Sequence, residues 1–288
     1  MKSSLAAALA ALTLATAALV GTVFVTGAAA SAPAAGSLAA LGDSITRGFD
    51  TCSLPYTDCP ANSWATGTNT AVNSWYLRLR AQNASLAVNN DAKTGAKMAD
   101  LAGQAATAVS QGADTVTVLM GANDVCTSTV GSMTPASTLG AQLTQALQTL
   151  TTGNATRQIY VASIPNVYHL WEIFHQNLGA NLVWGLGKIC QSLLANPRST
   201  ATADQARRAQ VQAQTIADNG AIQAACAAFT QCHFDNGAAY NVVFTTADVT
   251  TRDYFHPTVS GQAKAAAATW SAFFGPREAP RAFAIRSA

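Results

Sequence analysis

The chain has 288 residues, of which 49% are hydrophobic and 10% are charged, and its formal net charge at pH 7 is +2. A composition this apolar and this close to neutrality excludes an intrinsically disordered chain, and Arg207–Arg208, the only adjacent basic pair, is too little for a nucleic-acid-binding surface. We therefore expect a globular protein with a large core and no nucleic-acid partner.

The first thirty residues have the pattern of a secretory signal peptide. Lys2 supplies a short positive start, Leu5–Val25 is a run rich in Ala, Leu and Val, and the small residues that follow fit a cleavage site after Ala30. A retained membrane anchor is the alternative, because a run of about 20 apolar residues can span a bilayer. The abundance of weakly apolar Ala and Thr favours the signal peptide, which predicts a secreted, extracellular protein.

The chain contains six cysteines: Cys52, Cys59, Cys126, Cys190, Cys226 and Cys232. An even number in an exported chain predicts three disulfide bonds, although six cysteines allow about 15 pairings and the sequence alone does not choose among them. Two of the pairs, Cys52 with Cys59 and then Cys226 with Cys232, are close enough for local loops. That choice leaves Cys126 for Cys190. A zinc site at Cys232-His233 is the alternative, but it lacks a C-x-x-C or H-x-E spacing, so we expect no metal.

Short apolar runs alternate with longer amphipathic or Ala-rich segments from residue 37 onward. The short runs predict five buried strands, at Leu38–Leu41, Leu86–Val88, Thr115–Met120, Ile159–Ile164 and Asn241–Phe244. The longer segments predict helices over roughly 73–83, 97–110, 136–152, 167–179, 202–229 and 259–274. Strands separated by helices form parallel βαβ units, so we expect an α/β protein, a three-layer α/β/α sandwich around a central parallel sheet of about five strands.

A single domain over residues 31–274 is expected, because no Gly/Ser-rich or Pro-rich linker divides this region, although the length alone would permit two domains. The tail, residues 275–288, contains two prolines and three arginines without periodicity, and we expect it to be mobile. The chain also lacks a Walker A sequence and a G-x-G-x-x-G after a strand, so no nucleotide or other cofactor is expected.

Chemically reactive residues follow three of the predicted strands. Ser44 follows the first, Asn123 follows the third, and Asp253 and His256 follow the last, where the ligands of an open parallel sheet gather. A serine hydroxyl becomes a nucleophile when an imidazole accepts its proton, and a carboxylate three residues away can orient that imidazole. Asn123 and the backbone N–H groups of Ser44 and Gly95 are candidate donors to an oxyanion. These residue types are the parts of an acyl-transfer site.

Four blocks of the sequence together resemble the SGNH (GDSL) hydrolases: Gly42-Asp43-Ser44-Ile45, Gly95, Gly121-Ala122-Asn123-Asp124 and Asp253-Tyr254-Phe255-His256-Pro257. They stand in the order of that family and span nearly the whole mature domain. The resemblance implies a flavodoxin-like fold, with Ser44 as the nucleophile, His256 as the base and Asp253 as the acid. It also implies an oxyanion hole formed by Ser44, Gly95 and Asn123, and some family members use a backbone carbonyl in place of the acid.

The segment from Ser44 to Phe49, with Cys52, Cys59 and residues 62–67, is similar to secreted actinobacterial family members, including lipases and phospholipases A1 and B. Asp43 and Asp124 lie beside the predicted site, and we interpret them as structural hydrogen bonders.

An apolar stripe at helical spacing follows the fourth predicted strand: Val167, Leu170, Trp171, Phe174 and Leu178. It predicts an acyl-chain groove with Trp171 and Phe174 as substrate-binding residues, and an ordinary core-facing helix is the alternative.

The sequence thus predicts a secreted, metal-independent, monomeric serine hydrolase of lipid or phospholipid acyl esters that contacts lipid surfaces transiently. An acetyl- or aryl-esterase acting on polysaccharide or small esters is one alternative. A noncatalytic lipid- or glycan-binding protein on the same scaffold is another.

Overall fold

The computed structural model describes Ala32 and residues 34–275, so the predicted signal peptide and nearly all of the predicted tail lie outside the described residues. Its centre is one parallel sheet with the strand order β2-β1-β3-β4-β5. The strands are β1 (Ser37–Gly42), β2 (Ala87–Asn90), β3 (Thr115–Leu119), β4 (Gln158–Val161) and β5 (Cys232–Phe234). This order is that of the flavodoxin-like fold. The predicted fold class is confirmed.

Helices surround the sheet. They are α1 (Trp75–Arg80), α2 (Leu101–Ser110), α3 (Ala122–Val125), α4 (Ala136–Thr151), α5 (Tyr168–Phe174), α6 (Leu178–Leu186), α7 (Gln191–Leu194), α8 (Thr202–Ala227) and α9 (Val259–Phe274). α4 packs against both α2 and α8. Elsewhere, Trp75 of α1 packs against Trp270 and Phe274 of α9, and these two rings lie 5.3 and 5.4 Å from it.

The inner strands are buried along almost their whole length, which explains why their sequences are rich in apolar and β-branched residues without a polar face. All five residues of β3 are buried, and β1 is buried from Leu38 to Gly42. β1 pairs with β3 in parallel, with Leu38 opposite Thr115 and Gly42 opposite Leu119. A parallel sheet covered on both faces favours such strands over alternating ones. The register brings the ends of β1 and β3 to the same edge.

The fifth strand differs from the predicted one. Residues 241–244 lie outside any strand, and the last three residues of β4 pair instead with Cys232–Phe234. The Val-Val-Phe run resembles a strand, yet Val243 is 70% exposed and its two neighbours line a cavity. β5 contains no apolar run from which a strand could be predicted. The Cys226–Cys232 disulfide joins β5 to the end of α8.

The predicted helix over 167–179 is two helices, α5 and α6. The chain turns at His175–Asn177, and the Asn177 side chain caps α6 by accepting a hydrogen bond of 2.9 Å from the Ala180 backbone N–H. Asparagine is a preferred residue at this position because its oxygen satisfies a free N–H group of the first turn. The turn therefore directs α6 away from the line of α5.

Three disulfide bonds connect Cys52 to Cys59, Cys126 to Cys190 and Cys226 to Cys232. They are the pairs that proximity along the chain favours. The second bond connects the segment after α3 to the start of α7, across 64 residues of sequence. None of the helices in the described part of the chain combines the length and the apolarity that crossing a membrane requires.

Candidate active site

The carboxyl ends of β1 and β3 form the edge at which the strand order reverses, which is where open parallel sheets bind ligands. β1 ends at Gly42, whose N–H donates to Gln104 Oε1 (2.8 Å) and whose carbonyl accepts from Gln104 Nε2 (2.9 Å). A Cβ atom at Gly42 would lie 2.5 Å from the Leu119 carbonyl oxygen, so only glycine fits between the strands. These contacts fix the turn that carries Ser44.

His256 lies between Ser44 and Asp253 and is hydrogen-bonded to both. Its Nε2 is 2.8 Å from Ser44 Oγ, and its Nδ1 is 2.5 Å from Asp253 Oδ2. Ser44 is 5% exposed and Asp253 is 4% exposed, so bulk water scarcely reaches these contacts. The Phe49 ring lies against the imidazole, with 4.7 Å between the ring centroids. The structure thus brings together the three residues that the sequence singles out.

The Asp253 carboxylate is held by the turn that it begins. Its Oδ1 accepts the backbone N–H groups of Phe255 (2.8 Å) and His256 (3.0 Å). Burial raises the pKa of Asp253, but the hydrogen bonds and charge of His256, together with these N–H groups, outweigh it and hold that pKa below its ordinary value. Tyr254 adopts a left-handed conformation with φ 55°, and its carbonyl accepts from Trp184 Nε1 (3.2 Å). An ionised carboxylate oxygen, and not a backbone carbonyl, therefore faces His256 Nδ1.

The expected oxyanion donors lie on the same edge. The Lys93 N–H donates to the Gly42 carbonyl (3.1 Å), which holds the loop after β2 against the end of β1. In that loop Gly95 is left-handed (φ 81°), and Asn123 Nδ2 of α3 donates to the carbonyl of the next residue, Ala96 (2.9 Å). Within residues 34–275, the N–H groups of Ser44 and Gly95 donate no hydrogen bond. Two free backbone donors and one side-chain amide are therefore available at this edge.

The sequence model of one protein family matches residues 40–264, a range that contains all four blocks and the whole Asp253–His256–Ser44 line. The chain belongs to the GDSL-like lipase/acylhydrolase family. None of the curated proteins matches the chain.

Solved structures share the fold at low sequence identity. An α/β hydrolase, LAE5, from the metagenome of Lake Arreo, Spain, is 14% identical, with a TM-score of 0.52, over 84% of this chain and 97% of that one. An extracellular lipase from Streptomyces rimosus is 19% identical, with a TM-score of 0.51, over 82% and 99%. A GDSL-like lipase from Parabacteroides merdae is 15% identical, with a TM-score of 0.50, over 82% and 94%. These likenesses show that the fold is that of GDSL-family structures.

Two further aspartates of the family motifs are buried beside the site. Asp43 Oδ1 accepts the Ile45 N–H (2.9 Å), and Asp124 Oδ2 accepts the Met98 N–H (2.9 Å). Asp43 Oδ2 has no partner among the described residues, and burial raises the pKa of Asp43 to about 6. Burial also raises the pKa of Asp124. These contacts agree with the interpretation of both residues as structural hydrogen bonders.

Arg252 is a residue of the site region that sequence reasoning missed. Its Nη1 donates to the Asp50 carboxylate (3.0 Å) and to the Cys52 carbonyl (2.6 Å), and its Nη2 donates to the Ser53 carbonyl (3.0 Å). The disulfide loop after Ser44 is thereby fastened to the turn that begins at Asp253. The only sequence signal for this role is the position of Arg252 just before the Asp-x-x-His block. The partners of Arg252 lie some 200 residues away in the chain, so no local pattern indicates them.

A narrow apolar cavity of about 40 Å³ lies next to the site. Its walls include Ile45, Ala122 and Phe255, each a direct neighbour in sequence of Ser44, Asn123 or His256. His169 also lines it, and its Nδ1 is 2.7 Å from the Glu172 carboxylate, a pairing that sequence reasoning missed although the spacing of three residues equals that of Asp253 and His256.

The two predicted substrate-binding residues lie outside this cavity. Phe174 is 2% exposed and packs edge-on against Trp184 and Tyr254, which supports the alternative of a core-facing helix. Trp171 lines a separate surface cleft, where its ring stacks on His175. Successive residues of a helix point in different directions, so one apolar stripe serves two surroundings.

Metal-binding arrangements are absent from the described residues, since no group of three or more His, Cys, Asp or Glu side chains is placed to hold an ion.

Proposed function

We propose that this family member is a serine ester hydrolase that works through an acyl-enzyme intermediate. The observation that carries the proposal is the hydrogen-bonded line from Asp253 through His256 to Ser44. In the first half-reaction, Ser44 Oγ attacks the ester carbonyl carbon while His256 Nε2 accepts its proton, and the imidazolium then gives that proton to the departing alcohol. In the second, water attacks the acyl group with His256 as its base, and Ser44 regains its proton.

Asp253 serves this cycle by fixing the imidazole. Its ionised oxygen holds the proton on Nδ1, which leaves Nε2 as the acceptor for the Ser44 proton and stabilises the imidazolium that forms. The oxyanion of the tetrahedral intermediate receives hydrogen bonds from the Ser44 and Gly95 N–H groups and from Asn123 Nδ2. The Asn123 amide has two N–H donors, so its bond to the Ala96 carbonyl leaves one free.

Acyl esters of lipids are the favoured substrates. The large apolar side chains that are exposed in the described part of the chain cluster on three segments: Leu54, Tyr56, Leu178, Leu182, Leu186 and Val243. Tyr56 Oη donates to the Arg252 carbonyl (3.1 Å), α6 contacts Tyr254 through Trp184, and Val243 lies between two residues of the apolar cavity. Exposed apolar side chains of this kind suit transient contact with a lipid surface. The lipase name of the Streptomyces rimosus neighbour agrees with this choice.

A short-chain esterase is the second candidate, and the size of the cavity favours it. At about 40 Å³, the cavity has room for only a few water molecules, because roughly 10–15 Å³ of such space holds one. A small acyl group suits a cavity of that size better than a fatty acyl chain, which would require the walls to move.

A substrate panel separates the two candidates: one phospholipid with two different acyl chains, one triglyceride, one aryl acetate and acetylated xylan, with the products identified by mass spectrometry. Lipid hydrolysis predicts release of a long-chain fatty acid at a kcat/KM above that for the aryl acetate. Release of acetate alone would reject the lipid substrate and leave the esterase. Absence of turnover on all four would favour the noncatalytic binding protein.

We also propose that the mature protein is a secreted monomer with one domain over residues 31–274. Disulfide bonds form and persist outside the cytosol, and the chain has three. Protein recovered from the culture medium should begin at Ser31 by N-terminal sequencing and elute as a monomer. An intact Met1 would contradict the signal peptide.

A further inference from the structure

A second cleft opens on the other side of α5 from the apolar cavity, with a volume of about 570 Å³. Its walls come from α5, from the segment 197–200 and from the first turns of α8, and they include Tyr168, Trp171, Arg198 and Arg208. The two cavities share no lining residue. The proposed hydrolysis therefore leaves this cleft without a role.

Arg208 is a buried cation that has no ion-pair partner among the residues that the structure describes. It is 2% exposed, and within the described residues no carboxylate forms an ion pair with it. Its Nη2 donates to the Ser199 carbonyl (2.7 Å), its Nη1 has no hydrogen-bond partner, and its guanidinium lies 4.6 Å from the Trp171 ring centroid. Burying an unpaired charge is costly, and an anion bound next to the Arg208 guanidinium would offset that cost.

The neighbouring Arg207 shows what a purely structural arginine looks like in the same helix. Its guanidinium donates to the carbonyls of Gln191, Ser192 and Ala195 and to the Asp204 carboxylate. Asp204 is the only acidic residue between positions 197 and 209, a stretch with three arginines, and its carboxylate is engaged with Arg207 (3.1 Å). Both terminal nitrogens of Arg207 donate within the protein, whereas among the described residues Arg208 Nη1 has no partner.

The amino end of α8 adds an independent attraction for anions. The helix has 26 residues, begins at Thr202, which lines the cleft, and has no side-chain hydrogen bond at its N-cap. Within the described residues, the N–H groups of Thr202 and Ala203 donate no hydrogen bond. Free N–H groups at the start of a long helix carry a partial positive charge and bind anions.

We propose that this cleft is a phosphate-binding site. The Arg208 and Arg198 guanidinium groups supply the charge, the first N–H groups of α8 and the Thr202 hydroxyl supply further donors, and the Trp171 ring lies against the Arg208 guanidinium. Donors from several directions suit a tetrahedral phosphate better than a planar carboxylate. The phosphate can come from the headgroup of a phospholipid or from free inorganic phosphate, since both present the same oxygens.

The test measures thermal unfolding in sodium phosphate against sodium chloride of equal ionic strength. Because a ligand that binds only the folded state stabilises it, the Tm of the wild-type protein should rise by several degrees and saturate with phosphate. Arg208→Met, which keeps an unbranched chain against Trp171, should abolish the rise. Arg80→Met is the matched control, because Arg80 is an exposed arginine that also lies over an aromatic ring, that of Tyr76, and this variant should keep the full rise.

Arg198→Ala provides a second variant should Arg208→Met fail to fold, since Arg198 is exposed. It should weaken phosphate binding in calorimetry by roughly the tenfold that 1.4 kcal/mol represents. A short-chain phosphatidate below its micellar concentration, added to Ser44→Ala protein to prevent hydrolysis, distinguishes the two sources. Stabilisation by both probes assigns the site to the phosphate group itself, and stabilisation by phosphatidate alone assigns it to a lipid headgroup.

The proposal is overturned if neither probe shifts the Tm of the wild-type protein, or if both Arg208→Met and Arg198→Ala respond to phosphate as the wild type does. These measurements do not involve ester hydrolysis. Their outcome therefore tests the phosphate site independently of the proposed enzymatic function.

Discussion

Two turns on the same edge of the sheet each carry a buried aspartate, and the two carboxyl groups behave in opposite ways. Asp253, 4% exposed, accepts two backbone N–H groups on one oxygen and His256 on the other, and its pKa is lowered. Asp43 is fully buried and accepts one N–H group, its second oxygen has no partner among the described residues, and burial raises its pKa to about 6.

Burial alone therefore does not decide whether an aspartate near the nucleophile is charged. For these two aspartates the difference comes from His256 together with the backbone donors, because the imidazole hydrogen bond, the His256 charge and the two N–H groups all favour the ionised form of Asp253 over the cost of its burial. The ionised carboxylate is the one that faces the imidazole. The proposed mechanism therefore assigns a role in proton transfer to the turn at Asp253 and a structural role to the turn at Asp43.

The largest effect is expected from removing Ser44 or His256. Ser44→Ala and His256→Ala should each lower kcat on the order of 10⁵–10⁶-fold, because the serine and histidine of such sites act as a unit. The double variant should be scarcely worse than either single one. Steady-state assays with an aryl acetate measure this, and substantial turnover in either single variant would exclude the mechanism.

Asp253→Asn tests the comparison itself. Asparagine keeps an oxygen for the backbone N–H groups but presents an amide where the imidazole Nδ1–H needs an acceptor, so kcat should fall on the order of 10³–10⁴-fold. Asp43→Asn is the matched control with the same chemical change, and its kcat should stay close to that of the wild type. Equal losses in the two variants would show that the turns do not differ in the way proposed.

Asn123→Ala should have the next largest effect. Loss of one oxyanion donor typically lowers kcat by about 10²–10³-fold, with little change in KM when the bond forms only in the transition state. Asn123→Asp, similar in shape but without the amide donor, should be impaired at least as much. An unchanged kcat in both variants would remove this side chain from the oxyanion hole.

The smallest effect is on stability and concerns Asp43. Since the pKa of Asp43 is raised in the folded state, this group stabilises the fold below about pH 4 and loses that contribution as the pH rises through 6. Asp43→Asn should therefore raise the free energy of unfolding at pH 7.5 by at most about 3 kcal/mol and leave it little changed at pH 4. Urea unfolding at the two pH values measures this, and an equal change at both would refute the assignment.

Much of the fold is predictable because the buried strands are continuous apolar runs. The first four predicted strands correspond to β1–β4, whereas β5 has only three residues, Cys232–Phe234, and depends on pairing with β4 and on a disulfide. The separation of α5 from α6 depends on the cap at Asn177. Local patterns therefore predict elements that bury a long apolar run, and they miss those fixed by distant partners.

The same distinction applies to the candidate site. The Asp253–His256 contact spans three residues and can be read from the sequence, and the strand ends indicate where Ser44 and Asn123 lie. The contact of Gln104 with Gly42 spans 62 residues of sequence, and that of Arg252 with Asp50 spans 202. No local sequence pattern predicts contacts over such distances. Trp171 illustrates the reverse case, because helical spacing gives its position on α5 but not which cleft it faces.

The nucleophilicity of Ser44 is the central claim, and covalent labelling tests it most directly. A fluorophosphonate reacts with serines activated by a neighbouring base, and intact-mass and peptide analysis gives the number and position of adducts. We predict one adduct per chain, on the peptide that contains Ser44, absent from Ser44→Ala and greatly slowed in His256→Ala. A folded wild-type protein that remains unlabelled, or one labelled at another serine, would contradict the account.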